Sequence, residues 1–302
     1  MSAPPNATRL IDHTLLDTAE RCEVEALFRY RDNLDSGRPS AAPLFGQAVH
    51  AGVRQFYEEP YNTPKMLAAV EKAWGAATFG SDEYRTLDYA RAVVAAYAVE
   101  YPPSKWDFEL VMNERYLENA ETGECGIVDR VVRRKADGQL YVLDLKTTGL
   151  WLGPAWQEQW RHSQQAARYL DLVEHHLFDV DRQDGELQPP QKVAGFWCDA
   201  IHIQKRAYPK PEDFVRAGPF AYSDELRAEL RAQRAAKTAR ILKVFGGAEA
   251  PLKNTRSCFR YNSICSFLRF CVADPADRAD MLELALATGE LVTKQWNPKE
   301  RD

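Results

Sequence analysis

"GIVDRVVRRKADGQLYVLDLKTTG", Gly126 to Gly149, reads as two short β-rich runs, "GIVDRVVRR" and "LYVLDLKTT", on either side of a turn "KADG". The Gly and Asp of the connection suit a tight antiparallel turn. In the second run Asp144 and Lys146 are two residues apart and share one face, while Leu143 and Leu145 point to the other. The hairpin brings Asp129, at the end of "GIVD", toward Asp144. Two carboxylates held together repel unless a cation sits between them. Hard oxygen ligands partly open to water suit Mg²⁺ or Mn²⁺, which can activate a water and neutralise charge developing on a phosphate oxygen. Lys146 is then the cationic partner that orients the water or stabilises the transition state. Without its neighbours "DLK" would read as ordinary charge on an exposed hairpin, so the surrounding chain decides.

Upstream, residues 14–30 read as a short helix carrying Cys22, followed by a polar loop. "LFGQAVHAGVRQFYEEP" sets Val49, Val53 and Phe56 at helical spacing, from about Leu44 to a stop at Pro60. Two more helical stretches follow, roughly 64–78 and 82–99, and then a first strand, "WDFELVMNERYL". Downstream, "QEQWRHSQQAARYLDLVEHHL" predicts a long helix, "KVAGFWCDAIHIQK" a strand, and 223–246 a charged helix. Helices, a three-stranded meander, a helix, a strand and a helical tail predict an α/β core with one helical face.

The chain has 302 residues, 45% of them hydrophobic, enough for a packed core. Its formal net charge of −5 means that a nucleic-acid partner must be met by local positive patches. There is no run of about 18 apolar residues, and "MSAPPNATRLIDHT" lacks a charged region followed by an apolar stretch and cleavage site, so a cytoplasmic protein without membrane contact is expected. Six cysteines in such a chain argue against a disulfide framework and leave metal binding, catalysis or burial. No Gly-x-x-x-x-Gly-Lys-[Ser/Thr] phosphate loop is present, so a helicase motor would have to be a separate partner.

Taken in order, "GIVD", "DLKTTG", and Gln165 with Tyr169 in "SQQAARY" resemble the core of the PD-(D/E)XK nuclease superfamily in its RecB-like branch. In that family a Gly-x-x-Asp strand, an Asp-x-Lys strand and a Gln-x-x-x-Tyr helix follow one another. The resemblance implies a restriction-endonuclease-like α/β core, a mixed central sheet flanked by helices, over about 44–206 within a single nuclease domain, 1–302, with helical N- and C-terminal segments. It implies Asp129, Asp144 and Lys146 as catalytic residues, Asp129 and Asp144 also holding the metal, and Gln165 and Tyr169 as DNA contacts from one helix face. A histidine ligand from an upstream helix is implied too, and "FGQAVHAG" supplies His50. For the glutamate often found on the strand before Gly-x-x-Asp, Glu109 in "WDFELV" is the candidate, ahead of Glu114.

The tail "SCFRYNSICSFLRFC" holds Cys258, Cys265 and Cys271, with six and five residues between them. RecB-like nucleases including AddB-type subunits, CRISPR-associated adaptation nucleases and many phage exonucleases are similar here, with one cysteine before the core and three after it around a [4Fe-4S] cluster. Cys22 is the matching early cysteine. The resemblance thus implies cluster-binding segments at about 14–30 and 252–273, joined by the metal cluster, with a Cys₄ zinc site as the rival. Cys125 and Cys198 read as buried neutral thiols. The basic and aromatic tail (Lys253, Arg256, Arg260 and Arg269 with Phe259, Tyr261, Phe267 and Phe270) and the helical Arg227, Arg231 and Arg234 are candidate DNA surfaces. The function implied is a metal-dependent DNA exonuclease of recombination, repair or phage DNA processing. Alternatives are a CRISPR-type adaptation nuclease and a non-catalytic DNA-binding adaptor on the same scaffold.

Overall fold

The computed structural model describes residues 9–38, 40–80, 83–183, 191–260 and 263–299. Its principal helices are α1 (His13–Arg21), α2 (Ala41–Glu58), α3 (Thr63–Trp74), α4 (Leu87–Glu100), α5 (Gln164–Gln183) and α6 (Asp224–Phe245). The strands of the largest sheet are β1 (Phe108–Glu118), β2 (Cys125–Arg134), β3 (Leu140–Thr148), β4 (Val193–His202) and β5 (Phe214–Ala221). The chain divides into two compact units, one of residues 40–228 with 299–302 and one of 1–39 with 229–298. No described helix is long and apolar enough to cross a membrane.

The 40–228 unit is built on a five-stranded sheet in the order β1-β2-β3-β4-β5. The β3–β4 pair is parallel and the other three pairs are antiparallel, giving the mixed α/β sheet expected. A parallel pair needs a crossover, and α5 is that connection. Helices α2, α3 and α4 cover one face, where Val49, Val53, Val70 and Val94 pack with Leu143, Leu145 and Trp197. Gly52 lets the helices close up: a Cβ there would stand 2.6 Å from Val70 and 2.8 Å from Val94. The starts are capped locally, since Asn62 accepts from Lys65 N and Thr86 from Tyr89 N.

On the opposite face α5 lies over β2. Gly126 makes this possible, because a Cβ would meet the Tyr169 ring at 3.0 Å. The long helix expected from "QEQW" onward is interrupted: a short helix at Pro154–Glu158 and a 3₁₀ turn at Gln159–His162 precede α5. Ser163 provides the physical reason, its hydroxyl accepting from Ala166 N at 3.3 Å as the new helix begins.

The other unit gathers both ends of the chain. Residues 14–30 do not form one helix: α1 ends at Arg21, and Cys22 is extended before Glu23–Ala26 turns again. Leu34–Ser36 pairs with Leu291–Thr293, and Phe259–Arg260 with Ser263–Ile264. Apolar packing holds the ends together, with Leu15, Leu16 and Tyr30 against Ile241 and Val244, and Phe28 stacked on Phe267 at 4.9 Å. Ion pairs add to this packing, Arg240 with Glu23 at 2.9 Å and Lys237 with Glu20 at 2.6 Å.

Candidate active site

The β2–β3 ladder runs from Arg133 opposite Leu140 to Arg130 opposite Leu143. Just past its end Asp129 takes over the role of the missing partner strand, its Oδ2 accepting the backbone N–H of Leu145 at 2.7 Å. The carboxylate is thereby fixed between the two strands and buried. His50 of α2 reaches the same oxygen, Nδ1 lying 3.5 Å away. Helix α2 comes this close to β3 because of Gly46, where a Cβ would meet Thr147 Oγ1 at 3.2 Å.

Asp144 is also buried and pairs in register with Cys198 of β4. Lys146 Nζ stands 2.7 Å from its Oδ2, an ion pair in which the buried carboxylate oxygen meets the ammonium. Burial raises the Asp144 pKa, Lys146 and His50 oppose it, and the Asp129 charge adds to it, with a net rise above the ordinary carboxylate value. For Lys146 burial works downward, yet Asp144 and Asp129 outweigh it and hold the ammonium above its usual pKa. Lys146 also lies 5.9 Å from the centre of the Trp160 ring. Tyr169 of α5 completes the group, pushed up to about 12 by burial and the neighbouring Asp144 charge, and accepting from Gln165 Nε2 at 3.2 Å.

The structure thus brings together His50, Asp129, Asp144, Lys146, Gln165 and Tyr169 from two strands and two helices. A family model for the PD-(D/E)XK nuclease superfamily matches residues 13–272. The chain belongs to this superfamily. A search of curated proteins finds no match. Among solved structures, that of a candidate exonuclease from Eubacterium rectale is similar, with 13% identity, a TM-score of 0.47, and coverage of 91% of this chain and 100% of that one.

The superfamily motifs quoted above fall on β2, β3 and the first turns of α5. Glu109 is not in the group. It is exposed and pairs with Arg133, beside the β2–β3 turn, at the far end of the sheet from Asp129. The β1–β2 register sets Asn113 opposite Arg130 and Arg115 opposite Val128, which places Glu114 across from Asp129. Glu114 has a positive φ of 40° and lies 3.9 Å from Arg54, one turn beyond His50 on α2. A bulge between Leu110 and Met112 shifts the pairing of β1.

Among the described residues no three His, Cys, Asp or Glu side chains form a ready cage for a metal ion. Mg²⁺ seldom uses such a cage, keeping waters and substrate oxygens around one or two carboxylates. Two neighbouring buried carboxylates, Asp129 and Asp144, fit that pattern.

All six cysteines are free. Cys125 and Cys198 are buried, and burial pushes the Cys198 thiol well above its ordinary value. The other four are half-buried in the 1–39 and 229–298 unit. Cys265 N donates to the Cys258 carbonyl at 2.9 Å. Burial raises the Cys265 thiol above its ordinary value, opposed by a hydrogen bond from the Phe267 backbone. The candidate DNA surfaces fare differently. Arg227 is buried between Asp171 and Glu174, at 2.7 Å from each, and Arg234 is buried. Phe267 and Phe270 belong to the core, Phe259 is exposed, and Tyr261 lies outside the described residues.

Proposed function

We propose that this protein is a divalent-metal-dependent deoxyribonuclease that hydrolyses phosphodiester bonds from DNA ends. The observation that carries the reading is the convergence of Asp129, Asp144, Lys146 and His50, with His50 3.5 Å from Asp129 and Lys146 2.7 Å from Asp144. Asp129 and Asp144 would hold Mg²⁺ or Mn²⁺, with His50 supplying a nitrogen beside Asp129. When bound, the cation lowers the pKa of a water and offsets charge on the phosphate.

The chain's own groups do the rest. Lys146 stays protonated, because its pKa is held up rather than down, and so it acts as a fixed positive charge toward the attacking water and the phosphate oxygens, not as a base. Tyr169, equally reluctant to ionise, remains a neutral phenol beside Gln165, and the pair would bind a phosphate or base next to the metal. Leu145 N–H locks Asp129 in orientation.

The test is digestion of end-labelled single- and double-stranded DNA with Mg²⁺ or Mn²⁺ and with chelator. Wild type should release nucleotides only with the cation, and Lys146→Ala should lose about 10²–10³-fold in kcat. Wild type inert in both metals, or an unaffected Lys146→Ala, would refute the proposal.

The cluster assignment belongs to the same reading. Cys22, Cys258, Cys265 and Cys271 would hold a [4Fe-4S] group, a reading that rests on the order of the cysteines along the chain, all four lying in one unit. It would serve structure rather than hydrolysis. Anaerobic purification with iron, sulfide and zinc analysis decides it: zinc alone, or no metal, excludes the cluster.

A further inference from the structure

The loop that follows the catalytic strand is unusually apolar for an exposed segment. Leu150 is 53% and Trp151 75% exposed, only a few residues beyond Lys146. An indole left in water next to an active site forfeits burial unless something covers it when the protein works. The Trp151 ring stands edge-on to His202 at the end of β4, centroids 6.1 Å apart. Because β3 and β4 are parallel, both loops leave from the same carboxyl edge of the sheet, the edge to which Lys146 belongs.

A cavity of about 390 Å³ opens on this edge, lined in part by Tyr84, Tyr89, Lys205, Arg206 and Tyr208. The turn at Gly149 ties it to the catalytic strand: a Cβ there would lie 3.8 Å from the Arg85 guanidinium and 3.9 Å from the Ile203 carbonyl. Thr148 accepts the Ile203 N–H at 2.7 Å. Tyr208 is 75% exposed, and the Arg85 guanidinium lies over the Tyr84 ring at 4.5 Å. Arg206 is matched by Asp213 and Arg85 by Glu83, while Lys205 has no ion pair among the described residues. Exposed rings interleaved with cations, at a sheet edge that continues from a phosphate-handling site, are what an unpaired nucleic-acid strand requires. Every base offers a π-face to a ring, and each phosphate needs a nearby positive charge.

We propose that Trp151 and the neighbouring Tyr84–Tyr208 cavity form a base-stacking platform that receives the unpaired bases of a DNA strand whose scissile phosphate lies at Lys146. The proposal rests on the nuclease reading and names its substrate as single-stranded. Trp151 stacks on one base, and the cavity, of small-ligand size, takes another, with Lys205 beside the intervening phosphate.

The experiment uses the full chain with Ca²⁺ in place of the catalytic cation and follows fluorescence anisotropy of an end-labelled oligothymidylate. An abasic strand of equal length is the comparison. Trp151→Ala should weaken oligothymidylate binding about 10-fold, Trp151→Phe should restore most of it, and Tyr208→Ala should give a smaller loss. Wild type should bind the abasic strand as weakly as Trp151→Ala binds thymidylate. Equal binding by wild type and Trp151→Ala, or equal wild-type affinity for the two strands, would overturn the platform. Wild-type cleavage is scored separately. Binding through Trp151 with no cleavage in any metal would end the nuclease reading and leave the platform. Cleavage together with Trp151-independent binding would end the platform alone.

Discussion

Asp144 sets the stability cost of a buried carboxylate against its proposed role in catalysis. Its folded pKa lies above the ordinary value, so the folded protein binds that proton more tightly than the unfolded chain does. The linked contribution is present at pH below the unfolded value and is lost as pH rises through the raised one, which leaves the buried charge a cost at neutrality. Asp144→Asn should therefore abolish cleavage, by about 10³-fold or more, while the melting midpoint measured in chelator stays level or rises. A drop of several degrees would mean that the contact with Lys146 outweighs burial. At this scale the sequence was informative where spacing alone fixes geometry: Asp144 and Lys146 had to share a face, and they do. Choosing between Glu109 and Glu114 was beyond it, because that choice depends on the β1–β2 register, which no local pattern announces.

Between elements, what matters is which surfaces are allowed to touch. Helix α5 rests on β2 through Gly126, so Gly126→Ala should cost about 1 kcal/mol by forcing the Tyr169 ring aside. Combined with Tyr169→Leu, part of that loss should disappear in a double-mutant cycle of urea melts; strict additivity would show that the ring is not the obstacle. Arg227 carries a second test. Read along the sequence it belonged to a basic helix face open to DNA, but its guanidinium is buried between Asp171 and Glu174 of α5. Arg227→Ala should cost about 3 kcal/mol, since two carboxylates lose a shared partner, and should leave the salt dependence of DNA binding unchanged. Strand β5 escaped the sequence reading for a similar reason. "FVRAGPFA" contains Gly218 and Pro219, which argue against a strand, yet as the edge of the sheet β5 tolerates them.

For the whole molecule, the protonation of buried phenols sets an alkaline limit. Burial, with the Asp199 charge adding, raises Tyr97 and Tyr101 far above their ordinary values, and burial with the Asp144 charge takes Tyr169 to about 12. Above about pH 10, where unfolded tyrosines ionise, the unfolded chain holds fewer protons than the folded one, so stability falls as pH rises. Phenolate absorbance should therefore appear in two steps, an early one from exposed tyrosines and a late one coincident with loss of helical circular dichroism. A single smooth titration with the fold intact would contradict the burial of these rings. The packing of the chain ends, Phe28 on Phe267, is a separate matter of the other unit.

By itself the sequence determined the periodicities: helix or strand, which residues share a face, and the order of motifs that marks the superfamily. Those depend on distances of a few residues, where the backbone leaves little choice. Tertiary structure decided everything that depends on register, crossover and burial. It seated His50 against Asp129 through a close approach at Gly46, put Glu114 rather than Glu109 opposite that carboxylate, buried Arg227, and left Trp151 exposed at the edge where β3 and β4 end. Such pairings join residues far apart in the chain, and their energies come from packing and desolvation that exist only once the sheet is assembled.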